Sequence, residues 1–206
     1  MKPADQNPLI LHCPLFVFME IFSSPDLLCY DGTQIRSLWA YERFGVRGDS
    51  VVIFRGPMRI PAESMLDLED IREGSAINGD DLIHFIVERF DSPPNMHLSY
   101  CMQRLIAVWT KDELLVEGVK AVRRGDDLFV DDRKLTVSVA TCGVSSEKIH
   151  FGINVINSGV PPGVRAIGLN DLGITDPVGF AERVVSGFSG EIEGIESAVV
   201  KTKGIL

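Results

Sequence analysis

The chain is poor in cysteine and in positive charge. Its four cysteines, Cys13, Cys29, Cys101 and Cys142, are scattered over 206 residues. None forms a CxxC pair, and their spacing matches no zinc pattern, so no metal ligand set is expected. Their density does not suit a disulfide framework. They are read as reduced, mostly buried small hydrophobes, which places the protein in the cytoplasm. Twenty Lys and Arg stand against 29 Asp and Glu, a formal charge of −9. Such a surface repels phosphate backbones and argues against nucleic acid as a partner. The tight basic pairs are Arg123-Arg124 and Arg133-Lys134.

Long apolar runs are also missing. The tract Leu9 to Phe22, LILHCPLFVFMEIF, is shorter than the ~20 residues of a membrane span, and Pro14 and Glu20 interrupt it. It lacks the basic n-region and small-residue cleavage site of a signal peptide. No membrane partner is expected. Residues 1–22 are read as an N-terminal extension or edge strand, with a start near Met19 as an alternative, and 23–206 as a single domain. There is no internal repeat, no P-loop and no GxGxxG after a strand. The hydrophobic share of 45% and charged share of 24% suit a globular core rather than disorder.

Periodicity supplies the elements. Asp31-Gly32 marks a turn, and Thr33 is placed at the N-cap of a helix running to Phe44, ended by Gly45 and Gly48. Ser50 to Ile60 starts as a buried strand that Gly56-Pro57 bends. Met65, Leu66 and Leu68 read as a further strand, and Leu82 to Phe90 as another. Ser92-Pro93-Pro94-Asn95 breaks the chain before the best helix, Met96 to Val116, closed by Gly118. Asp126-Asp127 and Asp131-Asp132 bracket a short strand. Lys134 to Thr141 and Lys148 to Ile156 form a hairpin. A Gly/Pro-rich loop follows, then a helix from Val178 to Phe188 with Asp176 at its N-cap, and an amphipathic stretch from Ile192 to Thr202. This order gives an α+β fold, a mixed, mostly antiparallel sheet packed with helices.

The stretch Asp131 to Gly168 resembles the catalytic half of the octanoyltransferase and lipoate ligase family, within the biotin/lipoate protein ligase superfamily. That pattern is an acidic or Gly turn, a Lys, a strand of small and apolar residues, a His-Gly pair and an apolar strand ending in Asn-Val. Here it is carried by Lys134-Leu135, Ser138 to Gly143, His150 with Gly152, and Asn154-Val155. Upstream, Arg72-Glu73-Gly74 with Ile77-Asn78-Gly79 resembles the family's Arg-Gly-Gly loop. The pieces DGTQIRSLWAYE, FRGP and MLDLED look like an uncharacterised, mainly archaeal family grouped with the same superfamily. The resemblance implies a class II synthetase/biotin-lipoate ligase-like fold.

It also implies a site. Lys134 and His150 are the expected catalytic residues, with Arg72, Gly74, Asn78, Gly79, Ser138, Gly152 and Asn154 binding substrate. A strand-borne ammonium among apolar neighbours suits the oxygen where negative charge develops during acyl transfer. By the two-residue strand period, Thr136, Ser138, Ala140 and Cys142 share its face. Arg72 would hold a carboxylate or phosphate bidentately, and the glycines would admit a ligand to backbone N–H groups. His84, on an apolar strand, is read as a satisfied core histidine. The implied ligands are a small carboxylic acid or its adenylate, a protein acceptor, and ATP as an admissible cofactor.

The sequence also departs from that pattern. The family's Pro-Cys-Gly position falls near Ala166-Ile167-Gly168, without a cysteine, and Cys142 lies ~26 Å along an extended strand from Lys134. Glu73 replaces a glycine of the Arg-Gly-Gly loop. Three readings stay open on the sequence: a ligase or acyltransferase, a non-catalytic small-ligand or nucleotide binder, and a structural protein that forms a homodimer through an edge strand around Phe16 to Phe22.

Overall fold

The computed structural model describes residues 19–74 and 76–205. Along them run β1 (Glu20–Leu27), a 3-10 turn (Thr33–Ile35), α1 (Trp39–Phe44), β2 (Ser50–Ile60), α2 (Leu68–Glu73), β3 (Ile77–Arg89), α3 (Met96–Val116), β4 (Val122–Arg124), β5 (Asp127–Val130), β6 (Arg133–Lys134), β7 (Thr136–Cys142), β8 (Glu147–Asn154) and α4 (Pro177–Val199). Five strands pair in the order β1-β2-β3-β8-β7, and β4, β5 and β6 make a small second sheet. Among the described strands, β1 and β2 pair in parallel and the others pair antiparallel. The fold is therefore α+β with a mixed, mostly antiparallel sheet.

Alternation along the strands divides the main sheet into two faces. Val51, Ile53, Ile83, Phe85, Phe151 and Ile153 pack against Ile106 of α3 and Phe180, Val184 and Phe188 of α4. Val52, Phe54, Leu82 and Ile86 pack against Tyr30, Trp39 and Met58 on the other side. Full burial of such side chains contributes roughly 1.5–3 kcal/mol each. The two long helices seal the first face, whereas short segments cover the second and leave a cleft there.

Local signals explain α3. Asn95 accepts from the backbone N–H of His97 and Leu98, and Gly118, in the left-handed region, follows its end. α4 is one helix where two were expected from the sequence. Gly187 lies inside it because a Cβ there would come 2.3 Å from Trp109 of α3, so only glycine lets the helices approach this closely.

Two other expectations are corrected. Residues 65–70 are no strand: Asp67 caps α2 by accepting from the N–H groups of Glu69 and Asp70, and this local capping overrides the apparent alternation. The helix expected from Thr33 to Phe44 is broken. Gly32, not Thr33, precedes the 3-10 turn, and Leu38 adopts φ 65° while its N–H donates to Glu88 Oε1 at 2.9 Å. β2 spans Ser50–Ile60, and the bend expected at Gly56-Pro57 is present as a register shift between Gly56 and Met58. Of the tract Phe16 to Phe22, residues 16–18 lie outside the described residues. Met19 is buried in the core, and β1 begins at Glu20 on the sheet's edge.

Glu88 is a buried junction. Its Oε1 accepts from Leu38, from the Ser146 hydroxyl at 3.0 Å and from the Lys148 ammonium at 2.7 Å. Burial pushes the Lys148 ammonium down, against the pull of Glu88. Glu88→Ala should destabilise the protein by about 3–5 kcal/mol, because it strands a buried ammonium. Glu88→Ala with Lys148→Met should recover much of that loss in urea unfolding. Equal instability of the single and double variants would contradict this account.

Candidate active-site cleft

A tight hairpin delivers Lys134. Asp131 and Asp132 occupy the left-handed region, with φ 50° and 55°, between Val130 and its partner Arg133. This is the geometry of a two-residue turn, and Asp tolerates it better than most residues. Lys134 is then gripped through its own peptide groups. Its N–H donates to Arg165 O at 2.7 Å, and its carbonyl accepts from Ile167 N–H at 3.0 Å. The Asn154 amide donates to the carbonyls of both Lys134 and Ile167, at 3.3 and 3.2 Å. β6, the end of β8 and the loop at 165–167 are thereby fixed to one another.

The Lys134 side chain lines a cleft of about 730 Å³, within the range of small-molecule sites. Met58, Ile60, Met65 and Leu66 supply apolar lining, and Val160, Pro161, Pro162 and Val164 of the long loop supply more. Gly74, which ends α2 at φ 63°, and Asn78 of β3 line the same cleft. Asp67, Asp70, Asp126 and Asp127 add four carboxylates.

These carboxylates differ in what they do. Asp127 Oδ2 pairs with Lys134 Nζ at 2.9 Å. Burial pushes the Asp127 carboxyl up, and Lys134 opposes that rise. Burial and then Asp67 push Asp70 up, again against Lys134. Asp126 is half-buried, which by itself would raise its carboxyl, but hydrogen bonds from Ser138 and Arg104 hold it below the usual range. The Ser138 hydroxyl donates to Asp126 at 2.6 Å, and Gln103 of α3 donates to both.

His150 lies beneath Tyr30, with ring centroids 3.5 Å apart and planes 8° from parallel. Its Nε2 is 3.0 Å from His84 Nδ1, and His84 Nε2 is 3.1 Å from Gly56 O. Both imidazoles are buried, and both His150 and Tyr30 line the cleft. Gly56 is needed at its place because a Cβ would fall 2.1 Å from Leu28 O.

Of the residues expected at the site, Lys134, His150, Gly74, Asn78, Ser138 and Asn154 line one cleft. The Ser138 hydroxyl and the Asn154 amide nitrogen hydrogen-bond within the protein itself. Arg72, Gly79 and Gly152 are not part of the lining. Arg72 is exposed at the end of α2. Gly79 makes room for Leu82, since a Cβ would approach it to 2.6 Å, and its carbonyl accepts from Arg59. Gly152 makes room for Val137 and the His150 ring, 3.0 and 3.4 Å from a Cβ. Of the common face expected for Lys134, Thr136, Ser138, Ala140 and Cys142, the register keeps Thr136, Ser138 and Ala140 together, opposite Ile153, Phe151 and Ile149 on the helix-covered side. Lys134 pairs with Phe129 of β5 instead, and Ala140 and Cys142 lie beyond the cleft lining.

Sequence reasoning read Asp126-Asp127 only as turn residues and left Asp70 and Tyr30 unmarked. The one signal present was an acid pair seven or eight residues before the lysine, the distance a hairpin folds back. Among the described residues, no group of three His, Cys, Asp or Glu could hold a metal ion. No helix there is long and apolar enough to cross a membrane.

The profile of the family described as "domain of unknown function (DUF366)" matches residues 19–203. An uncharacterized protein of Methanocaldococcus jannaschii is 39% identical over 189 residues, covering 90% of this chain and 85% of that one. A protein of unknown function from Pyrococcus horikoshi superposes with a TM-score of 0.88 at 43% identity, over 91% of this chain and 100% of that one. Lipoate-protein ligase A bound with ATP is similar with a TM-score of 0.53 at 15% identity, over 85% of each chain. Biotin protein ligase from Aquifex aeolicus in complex with biotin and ATP gives 0.53 at 11%, over 84% of this chain and 70% of that one. The latter two likenesses establish a shared fold and nothing finer.

Burial pushes His84 down to about 4, and pushes His150 well below the ordinary 6.5. In the unfolded chain both rings take up a proton below about pH 6.5. The unfolded state then binds more protons than the folded one, so stability falls as pH drops from about 6.5 towards 4. The slope is at most about 1.4 kcal/mol per pH unit for each ring. Urea midpoints across this window should show the fall, and His84→Phe with His150→Phe should flatten it. An unchanged slope in that double variant would contradict the neutral pair.

Proposed function

We propose that this chain, which belongs to the DUF366 family, is a ligase- or acyltransferase-like enzyme that takes a small carboxylic acid or its activated acyl form into the Lys134 cleft. The supporting observation is a single ammonium, anchored through its own backbone, in a ligand-sized hollow beside Gly74 and Asn78. In such a site the ammonium faces the carboxylate of the bound acid and then the oxygen that gains charge during acyl transfer. It must leave Asp127 to do so. That exchange is modest in free energy, because both partners are partly exposed, at 35% and 26%.

Charge narrows the activated form. Among the described residues, four carboxylates and one ammonium line the cleft, a balance that does not fit a free triphosphate. An acyl-adenylate, with one negative phosphate, or an uncharged acyl donor suits it better. Among the described residues no cysteine lines the cleft, so a thioester on the enzyme is not part of the reading, and the acyl group passes directly to its acceptor, for which a lysine on a protein is one candidate. The fold likeness to lipoate and biotin ligases supports the same class of chemistry.

The missing cleft thiol also favours a second reading, a small-ligand binder without turnover. A thermal-shift screen with biotin, lipoate, octanoate, ATP and amino acids tests for the ligand, since one that binds only the folded state raises Tm. An acid should give the shift, and Lys134→Ala should remove most of it and abolish any product. A shift that survives Lys134→Ala in full would remove the lysine from the reading, and ligand retention without product in the native protein would favour the binder.

A further inference from the structure

The two buried imidazoles form a wire with a fixed direction. A carbonyl oxygen can only accept, so the nitrogen facing Gly56 O, His84 Nε2, carries the proton. A neutral His84 then has a lone pair on Nδ1. The nitrogen that meets it at 3.0 Å, His150 Nε2, must therefore be a donor. A neutral His150 in turn keeps a lone pair on Nδ1. That nitrogen has no hydrogen-bond partner among the described residues.

His150 is 1% exposed, yet it lines the cleft. Tyr30 covers one ring face, and Cε1 lies over Gly152. Because His150 lines the cleft, a donor on a bound group can take the place of water at this acceptor. That group would offer a hydrogen bond rather than a transferable proton. An imidazolium here would be largely buried beside a second ring whose other hydrogen bond, among the described residues, goes to a carbonyl rather than to a carboxylate. We infer that His150 Nδ1 is the cleft's built-in hydrogen-bond acceptor, so that its ligand carries a neutral N–H or O–H donor besides the acidic or acyl group met by Lys134. His84, through Gly56 O, is the positioning residue that holds the tautomer. This rests on the acid-binding reading above. It narrows the substrate class to acids whose tails bear an amide, urea or hydroxyl, rather than plain alkyl acids.

Matched acids test it: octanoate, its 4-, 6- and 8-hydroxy derivatives, and the corresponding methoxy derivatives, which accept but do not donate. At one position the hydroxy acid should bind about 3–10-fold more tightly than octanoate and its methoxy partner. His150→Phe should erase the preference, and His84→Phe should weaken it. Equal binding of all these acids would overturn the inference and leave the acid-binding cleft standing. Failure of every acid to bind would overturn both. Long-range 1H–15N spectra of the unliganded protein give a check that needs no variant. Both rings should show the Nε2–H tautomer, with His84→Phe releasing His150 into a mixture. A proton on His150 Nδ1 in the native protein would overturn the inference.

Discussion

The peptide groups of Lys134 bear the constraint on which the candidate site depends. A β6 of only two residues could not place a long, flexible side chain by itself. Its N–H and carbonyl are instead tied into the loop at 165–167, and the Asn154 amide clamps the carbonyls of Lys134 and Ile167 together. One side chain at the end of β8 thus joins the main sheet, the small sheet and the long loop that walls the cleft. Rigid support of this kind separates a placed ammonium from a solvated one.

What surrounds that ammonium decides what it can meet. The apolar lining suits the body of a small acid, whereas four carboxylates oppose any ligand of high negative charge. Asp127 holds the ammonium at 2.9 Å and keeps it from being left unpaired in a partly desolvated hollow. The neutral histidine pair adds no charge, and its polarity runs one way, from Gly56 to the cleft. The lining of such a cleft suits an anion of low charge at one point and a neutral polar group at another.

Much of this was legible in the sequence, for physical reasons that differ by element. α3 showed itself because its start and stop are local: an Asn cap, a Gly end and a sustained apolar period. The hairpin before Lys134 was legible because two adjacent aspartates belong to a turn that needs positive φ twice. α2 was not, because six residues with an acid cap carry too little periodicity to separate helix from strand. Leu38 broke a well-patterned helix through a hydrogen bond to Glu88, fifty residues away. His84 was legible as a buried, satisfied histidine, but its partner lies 66 residues along the chain, and only the β3–β8 register brings the two rings together. Asp70 and Asp127 had turn and surface patterns, and they became cleft residues only through the packing of α2 and the small sheet.

The most direct measurement is a crystal structure of the protein grown with a non-hydrolysable acyl-sulfamoyl adenosine, an analogue with the shape and low charge of an acyl-adenylate. The account predicts the analogue in the cleft, with Lys134 Nζ turned from Asp127 to within hydrogen-bonding distance of the sulfamate or acyl oxygen. A cleft without the analogue at saturating concentration, or an analogue bound elsewhere while Lys134 remains on Asp127, would contradict it.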